Sequence, residues 1–328
     1  MRVPANPGSK VLEINDLHPM LAASQIAKLR IRLMTEHPIH PFRWNLAQRS
    51  QLGALAVGEV ADVPADYYSD LRDVSAKIVA RSDNSDLVFV GRSPEHIFDY
   101  LSGAFARLNN APVLTLLQFS KSHAGAYRRP LHSPDEFNHV ERAAFLSYLQ
   151  AEAIDPLSLA SSDRPLRFVD MVSSGATFIM LLAMFRELTK QQGADWNVVS
   201  KRLGFLGVTY RTKNSPNTFR WQQSQYWLDA GGGLISTKNI STPWSFWGHA
   251  ANVAEKVTPS FHRRRWFDPQ FARPQHSDDA LKALRRSVEI YDLATSREER
   301  GLLAQKLAAL HEFKKPFVRD LALRLKGR

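Results

Sequence analysis

The chain has 328 residues, 44% hydrophobic and 10% aromatic, enough for one large or two ordinary globular domains with a substantial core. It has no cysteine, which excludes disulfides, zinc–thiolate sites, iron–sulfur clusters and thiol catalysis. Its 43 Lys and Arg outnumber 32 Asp and Glu, and the resulting +11 charge calls for anionic company: nucleotides, phosphates, nucleic acid or an acidic partner.

No run reaches the roughly 20 apolar residues that cross a bilayer. The most apolar stretch, 178–185, leads at once into Arg186, Glu187 and Lys190 and reads as a buried helix. The opening MRVPANPGSK lacks the apolar core of a secretory leader, so the expectation is a cytoplasmic protein without membrane contact.

In chain order, residues 1–81 carry mixed helical signals, with imperfect amphipathic spacing at 21–33, a break at Pro38 and Pro41, and a helix over 67–80. His37 and His40 have no acids at ligand spacing, so they make a poor metal pair, and no protein metal site is expected. DLVFV at 86–90 predicts a strand ended by Gly91. A helix follows, with Ser93 as N-cap, Pro94 at its first position, and Ile97, Tyr100, Leu101 and Phe105 at helical spacing. Residues 111–119 predict a second strand, and 120–139 a long polar loop of the kind that carries function. Helix 140–153, strand 166–172, helix 177–190 and strand 205–211 complete the alternation. TFRWQQSQYWLDAGGGLIS then suggests strands around a turn at Gly231, Gly232 and Gly233, and the chain reads as helical from 278 onward.

Apolar strands separated by helices predict an α/β fold, a mostly parallel sheet with helices on both faces. Three regions are expected: an N-terminal helical or hood segment at 1–81, an α/β core at 82–235, and a basic, mainly helical region at 236–328. Residues 261–328 alone hold about 16 Lys and Arg against about 9 Asp and Glu.

The most informative stretch is RFVDMVSSGATF at 167–178. A strand, one acid, a loop of small residues and a helix together make a phosphate cradle. Ser173, Ser174, Gly175, Ala176 and Thr177 would present backbone N–H groups at a helix N-terminus, and their small side chains let a phosphate approach. Asp170 is poorly suited to an anion but well suited to accept hydrogen bonds from sugar hydroxyls. The ordinary reading of the same residues is a strand-to-helix turn with a strand-end acid. No Walker P-loop and no G-x-S-x-G elbow occurs.

Residues 168–177, FVDMVSSGAT, resemble the signature of the phosphoribosyltransferases: an apolar strand, two adjacent acids, two further residues, then Thr-Thr-Gly-x-Thr or a close variant. Asp170 takes the place of the second acid, and Val169 stands where the first acid usually is. The resemblance spans about residues 84–235 and implies a type I phosphoribosyltransferase fold. It implies that Asp170 holds ribose hydroxyls of phosphoribosyl pyrophosphate (PRPP) and that 173–177 hold the 5′-phosphate. By position, Gly91, Arg92 and Ser93 match the family's diphosphate loop. The loop at 120–139, with Lys121, His123, Arg128, Arg129 and His132, matches its mobile catalytic loop, with Arg128 and Arg129 closing over the departing pyrophosphate. Mg²⁺ would enter with PRPP, bridging diphosphate and ribose oxygens.

The resemblance thus implies a transferase for an unidentified acceptor, with a nucleotide or sugar phosphate as ligand. The missing first acid favours an alternative, a non-catalytic nucleotide sensor or RNA-binding protein on the same fold. An interaction module of a larger assembly is a third option, and a homodimer stays open. The basic C-terminal region would be the surface for RNA or an acidic partner. Within it, HRRRW at 262–266 interleaves cations and an aromatic residue, a pattern of nucleic-acid grooves and equally of a solvated basic segment. The aromatic cluster at Trp244, Phe246 and Trp247 reads first as packing, and otherwise as a wall for a planar ring.

Overall fold

The computed structural model describes residues 42–60, 62–121, 137–210, 221–268 and 270–327. Five strands form one parallel sheet: β1 (Asp86–Val90), β2 (Leu114–Leu117), β3 (Leu166–Met171), β4 (Leu203–Tyr210) and β5 (Ser236–Thr242). Their spatial order is β2-β1-β3-β4-β5. The first three strands are buried along their whole length, as a sheet covered on both faces requires. The expected α/β class with a parallel sheet and a helical C-terminal region is the observed one.

Among the described residues the α-helices are α1 (Arg49–Leu52), α2 (Tyr67–Arg81), α3 (Glu95–Phe105), α4 (His139–Ala151), α5 (Pro156–Ser161), α6 (Ala176–Gln191), α7 (Trp196–Arg202), α8 (Gln225–Asp229), α9 (Trp244–Gly248), α10 (Asp278–Thr295), α11 (Arg297–Ala308) and α12 (Pro316–Leu325). Side-chain alternation sorts them between the two faces of the sheet. Leu87, Phe89, Val169, Met171, Leu206 and Val208 point into a core shared with α2, α3, α9 and the C-terminal helices α10–α12. Val88, Val90, Phe168, Val172 and Phe205 point the other way, into a core closed by α4, α6 and Trp266. The C-terminal helices are therefore integral to the first core.

Their attachment is polar as well as apolar. Glu299 of α11, 3% exposed, accepts from Arg72 Nε at 2.6 Å, Arg72 Nη2 at 2.7 Å and Tyr100 Oη at 2.7 Å, joining α11 to α2 and α3. Asp83, in a left-handed turn before β1, accepts from Lys238 of β5 and, at 2.7 Å, from Lys315 beside α12. The outer edge of β5 is occupied too: Lys77 Nζ donates to the Ser241 carbonyl at 3.2 Å and Arg81 Nη1 to that of Asn239 at 3.0 Å.

Three sequence expectations are corrected. The stretch before Gly231 is not a strand: Ser224 caps the short helix α8, and Trp227 packs over Gly232, where a Cβ would lie 2.0 Å from the indole. The aromatic residues that suggest a strand there serve a helical packing role. The strand expected after the turn is β5, which starts only at Ser236 and runs on through a polar stretch where one strongly buried Ile240 gives little alternation to read. Helix α3 begins at Glu95 with Pro94 as its N-cap, one residue later than expected and without a side-chain cap from Ser93. The 21–33 helix and the His37/His40 pair lie outside the described residues.

The buried Glu299 cluster yields a stability prediction. Glu299→Ala strands the Arg72 guanidinium and should cost about 3 kcal/mol. The urea midpoint should fall with the slope unchanged.

Candidate functional site

The strand order makes β1 and β3 neighbours whose following helices leave on opposite faces, α3 on one and α6 on the other. In such a sheet the crevice outside the carboxyl ends of these two strands is the natural ligand position. The two stretches singled out from the sequence, 91–93 and 173–177, both start there.

At the end of β3, the Val172 N–H donates to the Val208 carbonyl at 2.8 Å, the last rung of the ladder. The chain then turns through exposed Ser173 and Ser174 to Gly175, at φ +81° and ψ 2°. A Cβ at Gly175 would lie 2.5 Å from the Trp221 ring, so both backbone sign and space require glycine. Helix α6 starts at Ala176, whose N–H reaches Ser174 Oγ at 3.4 Å, and its first backbone bond is Ile179 N–H to Gly175 O at 3.0 Å. The amides of Ser173, Ser174, Gly175, Thr177 and Phe178 have no acceptor among the described residues. Donors without an acceptor at the positive end of a 16-residue helix suit an anion.

Asp170 lies on the α6 face of β3, in register with Gly207 of β4 and, beyond it, Asn239 of β5. Gly207 leaves a notch into which Trp221 reaches, donating Nε1–H to Asn239 Oδ1 at 3.0 Å. Asp170 is 9% exposed. One carboxylate oxygen accepts the Met171 N–H at 2.7 Å, and no cation pairs with it among the described residues. Burial pushes its carboxyl well above the usual range, and the Met171 amide offsets only part of that. Val169, in place of the first acid, is fully buried on the opposite face.

At the end of β1, Gly91 takes φ +72° and donates its N–H to Leu117 O at 2.8 Å. Arg92 is exposed, with no ion-pair partner among the described residues, and Ser93 is half-buried. Glu95 turns inward, accepting the amides of Val257 at 2.9 Å and Thr258 at 2.8 Å. That fixes a segment, 249–266, across this end of the sheet. Gln118 Nε2 donates to Pro259 O at 3.0 Å and Trp266 Nε1 to Gln118 O at 2.9 Å. Lys256 of this segment is brought near Arg92. Burial first, and Arg92 in addition, draw its amine down to about 8, against the opposing pull of Glu95.

Beneath it, His96 Nδ1 meets Tyr67 Oη at 2.6 Å, and burial holds the imidazole well below its usual range. Asp99 faces Arg43 at 2.9 Å, yet burial raises its carboxyl to about 6. None of the residues of this polar cluster carries a motif. The missed signal was the polar side of α3, where Glu95, His96 and Asp99 interrupt an otherwise apolar helix.

The structure thus gathers Asp170, 173–177 and Gly91–Ser93 on one edge of the sheet. Arg128, Arg129, His123 and His132 lie outside the described residues. The HRRRW arginines are engaged within the chain. Arg263 pairs with Glu141 at 3.1 Å and stacks on Phe137, Arg264 Nε bonds Asp268 at 3.0 Å, and Arg265 donates to Ser260 O at 3.1 Å. Among the described residues no group of three or more His, Asp or Glu could hold a metal, and no helix is long and apolar enough to cross a membrane. Comparison of the chain with protein-family models, curated proteins and solved structures gave no match.

The state of Asp170 sets a pH dependence. Its folded value lies above its unfolded one, so the native chain holds the extra proton between the two, and stability falls as pH rises through that window. Asp170→Asn keeps the Met171 hydrogen bond and removes the charge. The variant should melt higher than wild type at pH 7.5, with the difference closing as pH falls towards about 4. Thermal denaturation across this range checks it.

Proposed function

We propose that the chain is a phosphoribosyltransferase-like protein that binds PRPP or a ribose 5-phosphate nucleotide at the carboxyl ends of β1 and β3. The observation that carries this reading is the pairing of a buried Asp170 carboxylate, without a cation among the described residues, with a left-handed glycine turn five residues on whose amides lack acceptors among those residues. A carboxylate buried without a partner raises the energy of the folded chain, and a ligand offering hydroxyls removes that penalty. The amides at 173–177 take the 5′-phosphate, Asp170 the ribose hydroxyls, and Arg92 with its loop the diphosphate.

In the transferase form, the bond from ribosyl C1 to the pyrophosphate oxygen breaks. A bond from C1 to the acceptor forms, and the acceptor's proton leaves. Arg92 and the lid cations Arg128 and Arg129 would offset charge on the departing pyrophosphate. Mg²⁺ bound to PRPP would neutralise part of the diphosphate charge. The Asp170 carboxylate, without a cation partner among the described residues, fits such a ligand-borne cation.

A second reading, a nucleotide sensor without turnover, is favoured by one specific feature: Val169 is buried in the apolar core on the far face, so a packing residue stands where the family's first acid would be. Pyrophosphate release on mixing with PRPP and candidate acceptors separates the two. RNA binding through the basic C-terminal region is less favoured, because Arg263, Arg264 and Arg265 are held by intramolecular contacts.

Isothermal titration with PRPP and Mg²⁺ tests the site itself. Ser174→Asp places an anion on an exposed position at the start of α6, where it suits the helix but repels phosphate. It should leave the melting temperature unchanged or higher while weakening PRPP binding at least tenfold. Asp170→Asn should weaken binding as well. Unchanged affinity in both variants would sink the assignment.

A further inference from the structure

Lys256 is placed as few lysines are. It is half-buried on the segment that crosses the carboxyl end of β1, and its Nζ donates to the Ala250 carbonyl at 2.6 Å, inside the π-helical turn His249–Val253. No carboxylate pairs with it among the described residues. Glu95 is close enough to attract it, yet each Glu95 oxygen already takes a backbone amide, those of Val257 and Thr258. Asp99, the other acid of this group, is committed to Arg43 at 2.9 Å. From the loop after β1 comes a cation instead, the exposed Arg92. Two imidazoles complete the surroundings. His96 is bonded to Tyr67 Oη at 2.6 Å, and His249 meets the Tyr67 ring edge-on at 5.0 Å, and both are influenced by the charge of Lys256.

This arrangement favours the uncharged amine. Burial strips water from the ammonium, Arg92 repels it, and the acids that would hold it are bound elsewhere. With its amine drawn down to about 8, roughly a quarter of Lys256 is unprotonated at pH 7.5, against about a thousandth of an ordinary lysine. A neutral amine can donate one N–H to the Ala250 carbonyl and keep its lone pair for attack. Arg92 offers a guanidinium to an anionic group on the incoming molecule. A desolvated lysine beside another cation is the usual setting of an imine-forming amine. We propose that Lys256 is a nucleophile that captures a phosphate-bearing aldehyde as an imine, with Arg92 holding the phosphate. In that step the nitrogen forms a double bond to the carbonyl carbon, the carbon–oxygen bond breaks, and the two amine hydrogens leave with the oxygen as water. Lys256 has no part in the phosphoribosyl chemistry proposed above, and the imine needs nothing from the 173–177 loop.

Pyridoxal 5′-phosphate is the probe, trapped on the full chain by borohydride and located by peptide mapping. At one equivalent, Lys256 should take about tenfold more label than an exposed lysine such as Lys190, with a rate that rises with pH to a half-maximum near 8. Lys256→Arg should remove this label, and Lys190→Arg should leave it unaltered. Arg92→Gln takes away a charge that disfavours the ammonium, so the half-maximum should move to higher pH and capture should weaken about tenfold. Arg92→Lys should restore part of both. 5-Deoxypyridoxal, which lacks the phosphate, should label Lys256 about tenfold less. Label spread evenly over the exposed lysines of the wild-type chain overturns the proposal, whether or not the variants fold. Equal capture of the two aldehydes, or a profile unmoved in Arg92→Gln, overturns it as well. None of these outcomes bears on PRPP binding at 173–177, which Ser174→Asp tests.

Discussion

The contact between Gly175 and Trp221 governs this edge of the molecule. The ring occupies the space a side chain at 175 would need, and the backbone there adopts a sign of φ that L-residues avoid. Trp221 is in turn held by Asn239 and fitted over Gly207, two strands away. The direction in which α6 leaves β3, and with it the aim of its first amides, is therefore set by β4 and β5 as much as by the turn itself. Any residue larger than hydrogen at 175 would have to move an indole packed against Phe178 and Trp227.

The two faces of the sheet solve their burial differently. The α6 face is closed by aromatic rings, with Phe168, Phe178 and Trp227 each packed against Phe205. The α3 face holds its polar groups in pairs: Glu95 with two amides, Arg43 with Asp99, Tyr67 with His96, Glu299 with Arg72 and Tyr100. Asp170 breaks this pattern. It is buried on the aromatic face with a single local hydrogen bond, and that asymmetry sets it apart from the structural acids.

The parts legible in the sequence were those whose burial is uniform. DLVFV and LRFVDM are buried on both faces, and their apolar runs gave the central strands almost to the residue. Helix 67–80 and the helical region from 278 onward were legible too, and the structure adds the caps Ser277 and Ser296 to the latter. Harder to read were elements defined by long-range partners. The strand β5 exists because its backbone pairs with β4, while its side chains are largely polar. Glu95 and Lys256 come together only through the crossing of 249–266 over α3, which no local pattern announces. At the site, Gly175 and Asp170 were visible because loop chemistry is local. The notch at Gly207 and its Trp221–Asn239 lid were not, because three separate segments build them.

The open margin of a parallel sheet invites addition of a foreign strand, since its outward carbonyls and amides lack partners. In this chain Lys77 and Arg81 of α2 lay their cationic ends on the Ser241 and Asn239 carbonyls along that margin. A strand from a second molecule would have to expel two positive charges from their oxygens before its first hydrogen bond could form. Growth of the sheet into an intermolecular ribbon is thus opposed at β5, and α2 acts there as a guard against aggregation.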